Sequence, residues 1–224
     1  MKDTVTIFWF RRDLRLEDNC GLFHALQNNE QVLPIFIFDE TILNKLPKRD
    51  ARVVFIHNQL KKMNAILQER QTAISIYKGK PEAIFLKLMS EYNINAVFSN
   101  HDYEPYALQR DNAINDLLNT HGIPFCTYKD QVIFERNEIV KKDGTPYKVY
   151  TPFSKKWLAA IEIEPEQCYP SEKQLDKLYK VKNTPLLTLH EIGFEGTMTS
   201  VIPYQLSSEL IDNYEETRNF PAKD

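Results

Sequence analysis

The sequence predicts a doubly wound α/β fold, with five parallel strands followed by an extended linker and a terminal helix. Three observations carry that expectation. Strand and helix patterns alternate five times within the first 128 residues. The best-defined strands are apolar on both faces, as parallel strands covered by helices are. Charged or polar clusters follow the first, second and fourth strands, and right-handed crossovers bring those clusters to one edge of the sheet.

The first strand is Val5-Thr6-Ile7-Phe8-Trp9-Phe10, rich in β-branched and aromatic side chains. It runs into Arg11-Arg12-Asp13-Leu14-Arg15-Leu16-Glu17-Asp18-Asn19, where six of nine residues are charged, three of each sign. Local ion pairing of Arg11, Arg12 and Arg15 with Asp13, Glu17 and Asp18 is the expected role of this loop. Asn19 is placed to cap a helix through Gly21 to Asn28, with Leu22, Ala25 and Leu26 on one face. Gln31 to Phe38 reads as the second strand, its end marked by Asp39. A helix over Ala51–Gln68 follows from Val53, Ile56, Leu60, Met63 and Leu67, spaced alternately by three and four. Arg52 lies at its start, off that stripe.

Ala73 to Tyr77 reads as strand three. Gly79-Lys80-Pro81 then starts a helix, with proline where its missing N–H costs nothing. Ala96 to Ser99 is strand four and ends in Asn100-His101-Asp102-Tyr103-Glu104-Pro105. The next helix carries Ile114, Leu117 and Leu118 and closes at Gly122. Ile123 to Tyr128 is strand five. Lys141-Lys142-Asp143-Gly144 is a turn signal, and Thr151-Pro152-Phe153 opens a short helix holding Trp157 and Leu158. Glu162 to Met198 has little periodicity and reads as a linker lying over a surface. A last helix is expected from Tyr204 to Arg218, and the halt at Asp224 suggests a longer protein. The parts are therefore a Rossmann-like or flavodoxin-like domain at 1–130, a linker with a short helix at 131–200, and the start of a further domain at 201–224.

Composition narrows the function. Apolar content of 42% and charged content of 26% are ordinary for a globular protein. The longest apolar run, Val32 to Phe38, is too short to cross a bilayer, and the N-terminus does not resemble a secretory signal. A cytoplasmic protein without membrane contact is expected, and a monomer. The net charge of −3 argues against direct grip on a nucleic-acid backbone. Only six glycines occur and none follows strand one, so neither a G-x-G-x-x-G turn nor a P-loop is present. Cys20, Cys126 and Cys168 form no C-x-x-C pair, and the five histidines show no H-x-H or H-E-x-x-H spacing, so a metal site is not expected. No nucleophile elbow is present. Asp39, Asp102 and Glu104 gather at the sheet edge with Arg52 beside them. Carboxylates there suit a ligand presenting hydrogen-bond donors, such as an aminopyrimidine ring, and suit a phosphate badly. On its residues alone the chain is a binding domain, and a stand-alone nucleotide-binding module is the rival reading.

The segment Phe8 to Asn19 resembles the opening motif of the photolyase/cryptochrome family. Further resemblances follow in the family's order: Leu33 to Asp39, Arg52 to Phe55, Asp102 to Pro105 with Arg110-Asp111, Tyr147 to Phe153, and Tyr214 to Pro221. Together they span nearly the whole chain, and the likeness is greatest to bacterial photolyases of cyclobutane pyrimidine dimers. The resemblance implies that the α/β domain holds an antenna chromophore, a reduced folate or a deazaflavin. It implies that a linker crosses to a helical domain binding FAD, damaged DNA and the flipped-out dimer. There, excitation passed to reduced FAD drives an electron into the dimer and splits it. Carried over by position, Asp39, Arg52, Asp102 and Glu104 match antenna-pocket positions, Tyr214 a tyrosine near FAD, and Arg218 an arginine near DNA phosphate. Residues 201–224 would begin the FAD-binding domain, and this polypeptide alone would be inactive as a lyase. A cryptochrome-type photoreceptor is the alternative within the family.

Overall fold

The computed structural model of the protein describes residues 2–163, 167–181, 186–197 and 211–220. Five strands form one parallel sheet: β1 (Thr4–Phe10), β2 (Val32–Asp39), β3 (Ser75–Gly79), β4 (Asn93–Asn100) and β5 (Phe125–Tyr128), in the order β3-β2-β1-β4-β5. The first strand is the centre of the sheet, and the chain winds outward from it in both directions. All eight residues of β2 are buried, as its unbroken apolar pattern requires.

Alternation along β1 and β2 feeds two cores. Phe8, Phe10, Phe36 and Phe38 point to one face, covered by α1 (Cys20–Asn28) and α3 (Ala51–Gln68). Ile7, Trp9, Ile35 and Ile37 point to the other, covered by α4 (Pro81–Glu91) and α5 (Pro105–Thr120). The expected cap holds: the Asn19 side chain accepts from the Leu22 N–H at 3.1 Å. Helix α3 has the expected bounds and is capped by Asp50. A short helix, α2 (Glu40–Leu43), lies between β2 and α3 and is capped by Asp39.

Several strand limits differ from the sequence reading, most of all at β4, which begins at Asn93 rather than Ala96 because its ladder with β1 opens at the Thr4–Asn93 pair. Strand β3 begins at Ser75 rather than Ala73, because its ladder with β2 opens only at the Ile35–Ser75 pair. Strand β5 begins at Phe125 rather than Ile123, since the intervening Pro124 has no N–H to donate. The Lys141-to-Gly144 turn is present, closed by the Gly144 N–H on the Lys141 carbonyl and followed by a Val140–Pro146 bridge. Helix α6 runs over Tyr150–Ile163, longer than expected, and buries no residue.

Described residues after α6 fill part of the first core. A 3-10 segment at Ser171–Lys177 sets Leu175 against α1, and Leu178, Ile192 and Phe194 are buried beside it. Leu178 bridges Val32 at the start of β2, and the Ser171 hydroxyl donates to the Leu16 carbonyl at 2.7 Å. Of the expected helix from Tyr204 to Arg218, residues 204–210 lie outside the described residues; the rest includes the short α7 (Tyr214–Thr217).

Candidate functional site

Helices following β1 and β4 leave on opposite faces, so the crevice between those strands at their C-terminal ends is where an open α/β sheet takes a ligand. In this protein the crevice floor is filled by arginine. Arg11 leaves β1 with its side chain buried and pairs with both carboxylate oxygens of Asp111 on α5 at 2.5 Å. It also donates to the Asn100 carbonyl at the end of β4. Arg110 is equally buried and pairs with Asp111 at 3.0 Å and Asp102 at 3.9 Å. Both guanidiniums stack on Trp9, Arg11 at 5.1 Å and Arg110 at 5.0 Å from the ring. The space left between Arg11, Asn100 and Asp102 is about 10 Å³, room for roughly one water.

The ion pairing of the β1 loop is long-range, which corrects the expectation that its charges pair among themselves. Arg11 takes Asp111, and Arg12 reaches Asp102 at 3.6 Å and Glu104 at 3.5 Å. Arg15 grips Asp130 through two bonds of 2.8 Å. Asp13 makes no ion pair with the loop arginines and accepts the Arg11 backbone N–H at 2.8 Å and the Asn100 amide at 2.6 Å. The reason is geometric: β4, β5 and α5 surround the end of β1 and bring their carboxylates closer than residues within the loop can fold back.

The four carried-over residues separate into groups. Asp102 and Glu104 share Arg12; Asp102 is buried, whereas the Glu104 side chain is 66% exposed. Asp39 is buried on the other side of β1, where it caps α2 through the Thr41 N–H at 2.8 Å. Its second oxygen accepts the Tyr106 hydroxyl at 2.5 Å, and this bond joins the Asp39 side of the edge to α5. Tyr106 is a residue the sequence reading passed over, although it sits directly after Glu104-Pro105. Burial and the Asp39 hydrogen bond hold its phenol above the ordinary pKa. Arg52 does not lean into the edge. It is 72% exposed and doubles back on its own cap, donating to Asp50 at 2.9 and 2.6 Å, and that bonding lowers the Asp50 pKa. Tyr214 is 62% exposed on α7, and Arg218 follows it.

Two larger cavities flank the crevice. One of about 360 Å³ lies between α5, β5 and Glu135, where His101 and Tyr103 both bind the Glu135 carboxylate. The other, about 770 Å³, lies between Arg15, Cys20, Phe134 and Tyr169. Burial pushes the Cys20 thiol up to about 11, so this group is a protonated wall residue rather than a nucleophile. Among the described residues no group of three or more His, Cys, Asp or Glu is placed to hold a metal ion, and no helix is long and apolar enough to cross a membrane.

Comparison with known proteins adds the following. The family model described as DNA photolyase matches residues 6–171. A deoxyribodipyrimidine photo-lyase from Synechococcus sp. (strain ATCC 27144) is 31% identical over 97% of this chain and 48% of its own length. An uncharacterised 31.6 kDa protein from Synechococcus sp. (strain PCC 6716) is 29% identical over 100% of this chain and 82% of its own. Among solved structures, an archaeal photolyase from Sulfolobus tokodaii, described with two FAD molecules and their implication of a novel light-harvesting cofactor, superposes with a TM-score of 0.58. It is 30% identical and the match covers 68% of this chain and 34% of that one. The chain thus spans about half the length of the photo-lyase it matches.

Proposed function

The chain belongs to the DNA photolyase family, and from that premise we propose that residues 1–130 form its antenna domain, binding a light-harvesting chromophore at the sheet edge. In this reading residues 131–200 connect that domain to an FAD-binding helical domain that begins at 201–224. The whole protein, so constituted, is a deoxyribodipyrimidine photo-lyase that repairs cyclobutane pyrimidine dimers in light, and the antenna domain by itself is inactive. Damaged DNA is then a partner of the helical domain, with Arg218 at a phosphate and Tyr214 beside FAD.

The observation that carries the reading is the pair of buried carboxylates, Asp39 and Asp102, on either side of β1 at the topological crevice. Carboxylates at such a place accept hydrogen bonds and select a ligand ring with N–H or O–H donors, as a pterin, deazaflavin or flavin has. Such a chromophore, once bound, supplies absorption in the near-ultraviolet and blue. Asp39 and Asp102 accept its donors, Arg12 orients Asp102 and Glu104, and Arg52, held on Asp50 in this structure, would join the site only by leaving that cap. Arg11, Arg110 and Trp9 form the rigid floor beneath.

The test is light-dependent loss of thymine dimers by the full-length gene product. Repair in light and none in darkness is the expected result. FAD bound without repair would assign the protein to signalling, a reading that cryptochromes among its relatives keep in view.

A further inference from the structure

Asp39 is the least accessible of the proposed ligand contacts, because a residue of this protein already occupies it. One Asp39 oxygen caps α2 and the other takes the Tyr106 hydroxyl at 2.5 Å. Tyr106 stands in the first turn of α5, after β4, whereas Asp39 ends β2, and β1 lies between those strands. The bond therefore spans the end of the central strand. Both Asp39 oxygens already accept from donors of this chain, and a ligand donor at Asp39 competes with the Tyr106 hydroxyl. The ring itself faces two cations, with Lys45 Nζ and the Arg110 guanidinium each 6.0 Å from its centroid.

We propose that Tyr106 is a latch on the ligand site: its phenol stands in for a donor-bearing aromatic ring, and the ligand must displace it from Asp39. This rests on the antenna reading of the edge and adds to it the regulation of that site. The physical parallel is close. An O–H donates to the carboxylate, and the ring meets the cations of Lys45 and Arg110, as the N–H and ring face of a planar heterocycle would. A site that must first release an internal hydrogen bond binds more weakly than its contacts imply, in proportion to the fraction of open molecules. Removing the hydroxyl while keeping the ring raises that fraction. A hydrogen bond to a charged acceptor is strong enough for the gain in affinity to be about tenfold.

The probes are lumiflavin, which carries a ring N–H at position 3, and 3-methyllumiflavin, which does not. Flavin fluorescence titrations of the protein, its Tyr106→Phe variant and its Asp39→Asn variant give the dissociation constants. The latch predicts about tenfold tighter lumiflavin binding by Tyr106→Phe, no gain for the methylated probe, and weakened lumiflavin binding by Asp39→Asn. If Asp39→Asn weakens binding while Tyr106→Phe leaves it unchanged or weaker, the latch is overturned and the site stands. An equal gain for both probes also overturns it, because the gain then owes nothing to Asp39. Absence of lumiflavin binding to all three proteins removes the site reading and the latch together. Unfolding midpoints of both variants, measured alongside, separate these results from loss of fold.

Discussion

Arg11 carries a buried charge at the end of the central strand, and its environment shows how that charge is tolerated. An ion out of water costs several kcal/mol unless its protons find acceptors. Arg11 finds both oxygens of Asp111, the Asn100 carbonyl and the face of Trp9. Asp111 also serves the buried Arg110, so it compensates two guanidiniums at once. Asp111→Ala should therefore lower stability by about 3 kcal/mol or more in urea unfolding, while Arg11→Met with Asp111→Leu should recover only the part owed to Arg11, since Arg110 is then left with Asp102 at 3.9 Å. A cost below about 1 kcal/mol for the single change would show that the pair is not buried as described. The sequence displayed Arg11 and Asp111 but not their pairing. Their separation of 100 residues is closed only by the order of strands, and no local spacing announces it. Tyr106 was missed for a related reason, since a tyrosine in a first helical turn has no signature until Asp39 is seen across β1.

Glu135 adds a pH dependence at the same scale. Burial pushes its carboxyl upward, but hydrogen bonds from His101 and Tyr103 outweigh that and leave it below the ordinary value of 4.5. A depressed folded pKa means that the contribution to stability is present above the unfolded pKa and is lost as pH falls through the folded one. Glu135→Gln should then flatten the acid limb of the stability curve below about pH 4.5 and leave its shape near neutrality unchanged. Thermal midpoints between pH 3 and 7 decide it, and an acid limb as steep as the parent's would rule the contribution out.

Among the elements, α1 depends most on a close approach. The Gly21 N–H donates to Asn100 Oδ1 at 2.8 Å, tying the first helical turn to the end of β4. A Cβ at Gly21 would stand 2.6 Å from that oxygen and 3.0 Å from the Phe8 ring. Asn100 is buried and also holds Asp13 and Asn19, so it has nowhere to retreat. Gly21→Ala should cost about 1–3 kcal/mol, although alanine is the better helix former. A neutral or stabilising result in thermal unfolding would mean that the contact is looser than drawn. Elements were legible where periodicity was strong: α3 falls on its expected residues, and β2 on its apolar run. They were less so at β3, β4 and β5, whose limits depend on a partner's register and, at β5, on Pro124. Leu175, Leu178, Ile192 and Phe194 were the least visible, because each is set into the core by an irregular path that has no period to read.

At the scale of the molecule, the doubly wound topology was legible because alternation, crossover handedness and both-face burial all point to one arrangement. That topology collects Asp39, Asp102 and Glu104 at one edge, and it did so in the sequence before any side chain was placed. What it does not determine is which of them face a ligand and which face each other; Arg52 turned to Asp50, and Tyr106 closed over Asp39. The central claim is that this edge holds an antenna pigment, and the pigment's absorption spectrum tests it most directly. The full-length protein and its Asp102→Asn/Glu104→Gln variant would be purified from the same host and their bound pigments extracted. The account predicts a near-ultraviolet or blue absorber besides FAD in the parent, reduced several-fold in the variant. Equal pigment in both proteins, or none besides FAD in the parent, would contradict it.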